Sequence, residues 1–264
     1  MLTVSSWYGR LGNNIQQCAI GTMAAELLSS QFETIEHDII SKHQTIFGKN
    51  NVDFTSKFFY WEGPYKEVDI PVDYIYKNIR RICKEYISKN LKLPDIGPLS
   101  DDTLVIHIRS GDLFEKIYDE TSQNVPNVNY IPNPLSYYLT LVDIFDKIIV
   151  VTESDSYNPI VDKLKERKNV KIQSSTVEED FATLMAAKNL ASSGVGTFCV
   201  AAALCSHNIK NFYCTDLLLS EHLNYNMIND EDIKLHVMEL KDYIKVGEWK
   251  NTHEQRNFIL NYEP

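Results

Sequence analysis

Cysteines are few in this sequence, and their spacing argues against two classes of protein. The five cysteines stand apart from one another, and no C-x-x-C pair occurs. An even set of closely spaced cysteines is typical of disulfide-rich secreted domains, and paired cysteines are typical of structural zinc sites. We therefore expect a protein of a reducing compartment, and we predict the cytoplasm as its location.

Long apolar runs and an excess of positive charge are also missing. No segment reaches the roughly 20 apolar residues that a membrane-spanning helix needs, and no basic segment with an apolar run opens the chain. We therefore expect neither an integral membrane segment nor a signal peptide. The net charge is −10, whereas a general nucleic-acid binder has a basic surface. Nucleic acid is not an expected partner, although single arginines can still bind a small anion locally.

The C-terminal part of the sequence alternates predicted strands and helices. Apolar runs such as TLVIHIR, KIIVVT and NIKNFYC predict buried strands, and VEEDFATLMAAKNLA and CVAAALCS predict two successive helices. From residue 103 to residue 214 this order predicts a parallel sheet with helices on both faces. Ligands of such sheets bind at the carboxyl ends of the strands.

The N-terminal part predicts fewer regular elements. The strand LTVSS precedes a helix predicted from residue 15 to about residue 31, and residues 33–70 are predicted to be irregular before a second helix. The segment LKLPDIGPLSDD contains two prolines and a glycine, which is typical of a linker. We therefore predict an N-terminal lobe over 1–98 and a C-terminal lobe over 99–264.

The stretch HIRSGD ends an apolar strand and opens into a loop. Because side chains alternate along a strand, His107 and Arg109 lie on the same face. Gly111 permits a sharp turn or the close approach of a ligand. Arginine at the end of a strand is suited to binding a phosphate through two parallel hydrogen bonds. An ion pair between Arg109 and Asp112 is the alternative interpretation of this stretch.

Two further stretches are suited to binding an anion. In SSGVGTFCVAAALCS, small residues precede an apolar helix, whose N-terminal amides and the Thr197 hydroxyl are donors for an anion. Helix capping and close helix packing are the alternative there. GRLGNN, over residues 9–14, is neither a P-loop nor a G-x-G-x-x-G motif. By itself it predicts a turn that ends in an asparagine cap.

Taken in order, the three stretches resemble the signature regions of the alpha-1,2-fucosyltransferases. Typical versions in that family read GRLGNQ, HVRRGDY and D-F-x-L-M followed by S-T-F-S-W-W-A-A, and EDFATLMAAKNLASSGVGTFCVAAAL is similar to the last of them. The wider superfamily, which includes alpha-1,6- and protein O-fucosyltransferases, is also similar. The resemblance consists of anchor points between residues 9 and 204, without continuous identity.

The resemblance implies a fold and a reaction. The fold is α/β and GT-B-like, with two Rossmann-like lobes, a parallel sheet in the C-terminal lobe and a reduced N-terminal lobe. The reaction is inverting, metal-independent transfer of fucose from GDP-fucose to a glycan hydroxyl, alpha-1,2 to a galactoside. The expected partners are a GDP-sugar donor and a glycan acceptor, and no cofactor is expected. The acidic stretches SDD and NDED are interpreted as loop or helix-cap acids and not as metal ligands.

The first two motifs imply residues for the donor phosphates. Arg109 resembles the arginine that binds the β-phosphate and stabilises the departing nucleotide. His107 is expected to shape the same pocket. Asn13 resembles an asparagine near the phosphates, and Gly12 is expected to allow close backbone approach.

The third motif and the acidic residues near the second complete the predicted site. Thr197 and Phe198 are expected near the phosphate and the base, and Asp180 is expected to contact the ribose or the guanine. Inversion requires deprotonation of the acceptor hydroxyl, and Asp112 and Glu115 are the candidate bases, with Asp112 equally suited to pairing with Arg109.

Two other groups of residues are candidates with open alternatives. The acid–base cluster EHD, residues 36–38, is either functional or a solvated loop. A set of aromatic residues is suited to stacking on an acceptor sugar or to forming a hydrophobic cluster. These aromatic residues are Phe58, Phe59, Tyr60, Trp61 and Tyr65.

The sequence also departs from the family pattern. Ser110 replaces the second arginine of the central motif, and Leu113 replaces the tyrosine after it. Val195 and Gly196 replace Asn-Ser, the two tryptophans are missing, and Asn14 replaces glutamine. The departures leave two alternatives: a non-catalytic module that binds sugar nucleotides or glycans, and a glycosyltransferase that uses another nucleotide sugar.

Overall fold

The computed structural model contains two β-sheets with helices packed against them, so the predicted α/β class is confirmed. The residues that it describes are 1–50, 52, 54–56, 70–118, 127–218, 223–228 and 230–264. The two sheets, of which the first is the smaller, agree with the predicted GT-B-like arrangement of two lobes. In the described part of the chain, every helix is too short or too polar to span a bilayer.

The first sheet lies in the N-terminal part of the chain. Its strands are β1 (Leu2–Val4), β2 (Gln31–Glu33), β3 (Gln44–Ile46) and β4 (Phe54–Ser56). The spatial order is β3-β2-β1-β4, in which β1 is parallel to both neighbours and β3 is antiparallel to β2. The prediction that residues 33–70 are irregular is therefore wrong for β3, β4 and the last residue of β2, because these strands are too brief to show a clear alternation.

The second sheet has six parallel strands in the order β10-β9-β8-β5-β6-β7. They are β5 (Thr103–Ile108), β6 (Lys147–Thr152), β7 (Val170–Gln173), β8 (Asn189–Ala191), β9 (Asn211–Thr215) and β10 (Lys234–Met238). The chain first adds strands on one side of β5 and then, beginning with β8, on the other. Such a reversal opens a crevice at the carboxyl ends of the two central strands, where doubly wound proteins bind ligands.

Helices connect most of these strands. They are α1 (Leu11–Leu27), α2 (Val72–Ile82), α3 (Leu135–Val142), α4 (Pro159–Lys165), α5 (Val177–Ala186), α6 (Thr197–Cys205) and α7 (His253–Asn261). The sequence supplies clear start signals for two of them. The Asn158 side chain caps α4 with a proline at the first position, and the Thr176 hydroxyl accepts the Glu179 amide at the start of α5.

Three predicted helix boundaries are wrong. The first helix, predicted to reach about residue 31, ends at Leu27, and Gln31 begins β2. The first helix begins at Leu11, inside GRLGNN, and not after it, because Arg10 occupies the N-cap position with extended backbone. The helix predicted over 177–191 ends at Ala186, and the residues that follow form the buried strand β8. Asn189 fixes this strand beside β5 by donating to the carbonyls of Asp101 and Thr103. A three-residue buried strand has no periodicity of its own that distinguishes it from the end of a helix.

The two sheets are joined by packing of α1 and α2 against α6. Arg80 of α2 contributes polar contacts to this packing, and its side chain is only 7% exposed. It donates to the carbonyls of Ala203 and Ser206 at the end of α6 and to the carboxylate of Asp230. A cation at this end of a helix also interacts favourably with the helix dipole. The predicted division at residues 98 and 99 lies between this helical region and β5, and it stays a prediction.

We expect the Arg80→Ala variant to lower the free energy of unfolding by about 2–3 kcal/mol, because it removes buried hydrogen bonds made by a charged group. Lys84→Ala is the matched control, since Lys84 lies on the same helical segment and pairs with the same Asp230 at 3.7 Å. A partly exposed pair of this kind contributes less than about 1 kcal/mol. Urea denaturation of the three proteins measures the difference, and equal losses in the two variants contradict this contribution of Arg80.

Candidate functional site

A cleft of about 530 Å³ lies at the carboxyl ends of β5 and β6, and all three sequence motifs contribute to its lining. It is lined by residues 9–12, 14, 37, 39, 107, 109, 151–154, 174, 175, 177, 180 and 196–198. The motifs are far apart in sequence, and the cleft is formed where β5 ends and α1 and α6 begin. The structure therefore brings together the stretches that the sequence singled out separately.

In the first motif, Gly12 allows the starts of α1 and α6 to touch. A Cβ atom on Gly12 would lie 2.7 Å from the carbonyl carbon and from Oγ1 of Thr197, so any side chain there forces the helices apart. The Thr197 hydroxyl donates to the side-chain oxygen of Asn13 at 2.6 Å. Gly12 and Thr197 line the cleft, whereas Asn13 uses its oxygen in this contact between the helices and is not part of the described lining.

The next residue of the first motif, Asn14, is fixed by His37 from the EHD cluster. The Nδ1 atom of His37 accepts the amides of Ile39 and Ile40, so its Nε2–H donates to the Asn14 side-chain oxygen at 3.2 Å. Burial lowers the pKa of His37, which favours this neutral form. His37 thus lines the cleft, whereas Glu36 of the same cluster is exposed to solvent.

In the second motif, His107 is buried in the wall of the cleft. Its ring lies 5.3 Å from that of Phe198, which in turn lies 5.1 Å from Phe181. Burial, with a smaller contribution from the charge of Arg109, lowers the pKa of His107 to about 3. The imidazole is therefore neutral at physiological pH. No described residue makes a hydrogen bond with its Nδ1 atom.

Arg109 forms the ion pair that the sequence left as an alternative. Its Nη2 atom lies 2.9 Å and 3.1 Å from the two oxygens of Asp112, and its Nε atom donates to the same carboxylate at 3.3 Å. The guanidinium also lies 4.1 Å from the centre of the Tyr130 ring. No described residue accepts a hydrogen bond from Nη1, and Arg109 lines the cleft. Arg109 is thus held on two sides and retains donors for an anion.

A second arginine, from the first motif, reaches the Asp112 carboxylate and one further carboxylate. Arg10 approaches Asp112 at 3.6 Å and Glu153 at 3.7 Å. Its side chain is 68% exposed, so these surface pairs contribute little to stability. Their effect is instead to bring a second positive charge to the lining of the cleft, beside the carboxylate that Arg109 also contacts.

The remaining predicted residues divide between the cleft and its surroundings. Asp180 lines the cleft and accepts the Gln173 side-chain amide at 2.9 Å and the Ser175 amide at 3.2 Å. Asp112 lies at the edge with its side chain half exposed, and Glu115 is exposed. Neither candidate base belongs to the described lining. The predicted aromatic set, Phe58, Phe59, Tyr60, Trp61 and Tyr65, lies outside the described residues.

Sequence reasoning missed the contribution of β6 to the site. Thr152 ends this strand, Glu153 and Ser154 follow it, and all three line the cleft. Ser174 and Ser175 line it directly after β7. The available signal was the polar stretch ESDS directly after the predicted strand KIIVVT, since strand ends on one edge of a parallel sheet converge.

The acidic stretches lie away from the cleft. Asp102 of SDD pairs with Lys147, and Asp230 of NDED pairs with Arg80. Within the described residues, no group of three or more histidine, cysteine, aspartate or glutamate side chains is arranged to hold a metal ion.

The comparisons with known proteins include a distant structural likeness. No family model and no curated protein matches the sequence. A crystal structure of POFUT1 in complex with GDP-fucose is similar to this chain, with a TM-score of 0.42 and 10% sequence identity. The match covers 81% of this chain and 97% of that one. A likeness at this level does not assign the chain to a family.

We expect His107 to make the folded protein less stable in acid. Its folded pKa of about 3 lies below the ordinary value of 6.5, so between these values the unfolded chain binds the extra proton and stability falls as the pH falls. From pH 7 to pH 5 this one group accounts for about 2 kcal/mol.

Urea denaturation at pH 7 and at pH 5 measures this contribution. In the His107→Gln variant, the difference in the free energy of unfolding between the two pH values should be smaller by about 2 kcal/mol. His43, whose pKa burial lowers to about 4, keeps its own share in this variant. The exposed His253 provides the control variant, His253→Gln, which should retain the difference. An unchanged pH dependence in His107→Gln contradicts a neutral buried imidazole.

Proposed function

We propose that this chain transfers fucose from GDP-fucose to a hydroxyl group of a glycan acceptor. The observation that carries the proposal is the convergence of three separate motif stretches on one cleft with Arg109 at its edge. The volume of about 530 Å³ lies within the range of roughly 300–1,000 Å³ found for small-molecule sites. The motifs favour inverting transfer, alpha-1,2 to a galactoside, and no cofactor.

The positive groups of the cleft suit a departing diphosphate. Transfer of the sugar leaves negative charge on the nucleotide, and fixed donors that face this charge lower the barrier. Arg109 and Arg10 supply two guanidinium groups, and the first amides of α6 at Thr197 and Phe198 point out of a helix N-terminus. In this proposal these groups replace a divalent metal at the diphosphate.

The acceptor hydroxyl needs a base, and Asp112 is the better of the two candidates. Its carboxylate pairs with Arg109 and Arg10 at the edge of the cleft, whereas Glu115 is exposed. A diphosphate bound to Arg109 competes with this pair. In our proposal the competition frees Asp112 to accept the proton as the glycosidic bond forms.

A non-catalytic module that binds a sugar nucleotide is the second candidate. It is favoured by the position of Asp112 and Glu115 outside the described lining of the cleft, together with the altered third motif. Thermal-shift measurements with a panel of nucleotide sugars identify the bound donor, since a ligand of the folded state raises the melting temperature. A chain that binds GDP but releases no GDP from any GDP-sugar in the presence of galactosides favours this second candidate.

We expect the Arg109→Ala variant to fold and to lose at least ~100-fold in kcat, which corresponds to the ~2.7 kcal/mol that one lost donor to a developing charge costs. A GDP-release assay with GDP-fucose and a panel of galactosides measures the loss. Arg167→Ala, at an exposed position beyond α4, is the control and should retain activity. Turnover close to wild type in folded Arg109→Ala rules out the assigned role.

Chelation of divalent metals should leave the activity unchanged, because the proposed positive groups belong to the protein itself. The same GDP-release assay, run with and without EDTA, measures this. Loss of activity in EDTA that manganese restores contradicts a metal-independent mechanism.

A further inference from the structure

Two carboxylates that the proposed chemistry does not use face the turn after Arg109. Glu153 and Asp155 follow β6, and both point back to the turn that follows β5. The Glu153 carboxylate accepts the Ser110 amide at 2.7 Å, and Asp155 accepts the Gly111 amide at 2.7 Å. Asp155 also accepts the Ser110 hydroxyl. Hydrogen bonds to an ionised acceptor are about twice as strong as neutral ones.

The start of α4 closes this set of contacts from a third direction. The Asn158 amide donates to the Ser110 hydroxyl at 3.0 Å, and the Asn158 side chain donates to the Arg109 carbonyl at 2.9 Å. The side chains of Glu153, Asp155 and Asn158 thus make hydrogen bonds with three successive residues, 109–111. We call Glu153, Asp155 and Asn158, with the Ser110 hydroxyl between them, the turn clamp.

The backbone of this turn needs such support. Gly111 has φ of +41°, in the left-handed region that other residues rarely adopt. The turn also changes the direction of the chain directly after Arg109, so any shift in it moves the guanidinium. Because Ser110 is only 1% exposed, its amide and hydroxyl need partners inside the protein.

The negative charges of the clamp have no direct use at a diphosphate. A carboxylate beside a bound phosphate repels it, so the two acids are explained by the donors that they accept and not by ligand binding. Arg10 offsets part of this negative charge, since its guanidinium lies 3.7 Å from Oε1 of Glu153, the oxygen that does not accept the Ser110 amide.

We propose that Glu153 and Asp155 are positioning residues that hold the Ser110–Gly111 turn and thereby present Arg109 to the donor diphosphate. This inference rests on the proposed function for the identity of the ligand. The hydrogen bonds of the clamp themselves are independent of it. Their role in binding acts through Arg109 alone.

A double-mutant cycle with GDP as the probe tests the inference. Isothermal calorimetry compares wild type, Asp155→Asn, Arg109→Ala and the double variant. Asp155→Asn should bind GDP at least tenfold more weakly, because one carboxylate oxygen accepts the Gly111 amide and the other accepts the Ser110 hydroxyl and the Tyr157 amide, and an amide nitrogen in either place accepts none of them. In the Arg109→Ala background the same change should have no further effect, which is the non-additivity expected of coupled residues.

A matched control and a kinetic measurement separate positioning from general damage. Asp162→Asn changes an exposed acid of α4 that pairs only with Lys165 among the described residues, and it should leave GDP affinity unchanged. In turnover, Asp155→Asn should raise the KM for GDP-fucose and leave the KM for the acceptor unchanged. Unchanged GDP affinity in Asp155→Asn, or the same tenfold loss in both backgrounds, overturns the inference.

Amide hydrogen exchange provides a measurement that needs no ligand. The Gly111 amide, which donates to Asp155, should be protected in wild type and should exchange at least tenfold faster in Asp155→Asn; equal rates overturn the clamp. If wild type does not bind GDP, the proposed function fails while exchange still decides the clamp. If Asp155→Asn does not fold, Ser110→Ala removes the bridging hydroxyl alone and should show the same non-additivity with Arg109→Ala, whereas full additivity overturns the inference.

Discussion

The site depends on the close packing of α1 against α6. Gly12 carries no side chain, so the first turn of α1 reaches the start of α6 at Thr197. At the other end of α6, Arg80 binds the terminal carbonyls. Because both ends of this helix are held by the part of the chain that carries the first sheet, the wall of the cleft is fixed. The helix therefore directs its free N-terminal amides, and the positive end of its dipole, into the cleft.

Positive charge at the cleft is balanced by carboxylates of the chain itself. Arg109 pairs with Asp112, and Arg10 reaches both Asp112 and Glu153. The Arg109 side chain is mostly buried, and a guanidinium there without partners is costly, so the pair with Asp112 keeps it ordered. An anion that binds Arg109 must compete with Asp112, and its affinity is the difference between two ion pairs. The net charge of −10 therefore does not describe the local field that a ligand meets.

Much of the second sheet could be predicted, because its strands are long enough to show as apolar runs. Strand β5 and the motif that follows it are the clearest case, and Arg109 was identified there as a candidate phosphate ligand. The central strand β8 was missed, since three buried residues have no periodicity of their own. His37 was left undecided in a polar loop, because its contact with the distant Asn14, which distinguishes it from the exposed residues beside it, is tertiary.

The sequence by itself determined the α/β class, the parallel sheet and the three motif stretches, because apolar periodicity and local turn chemistry act over a few neighbouring residues. Only the tertiary structure decided which side chains meet. It joined Asn13 to Thr197 and Glu153 to Ser110, pairs separated by 184 and 43 positions. Such contacts arise from the packing of helices and the convergence of strand ends, and no local pattern encodes them.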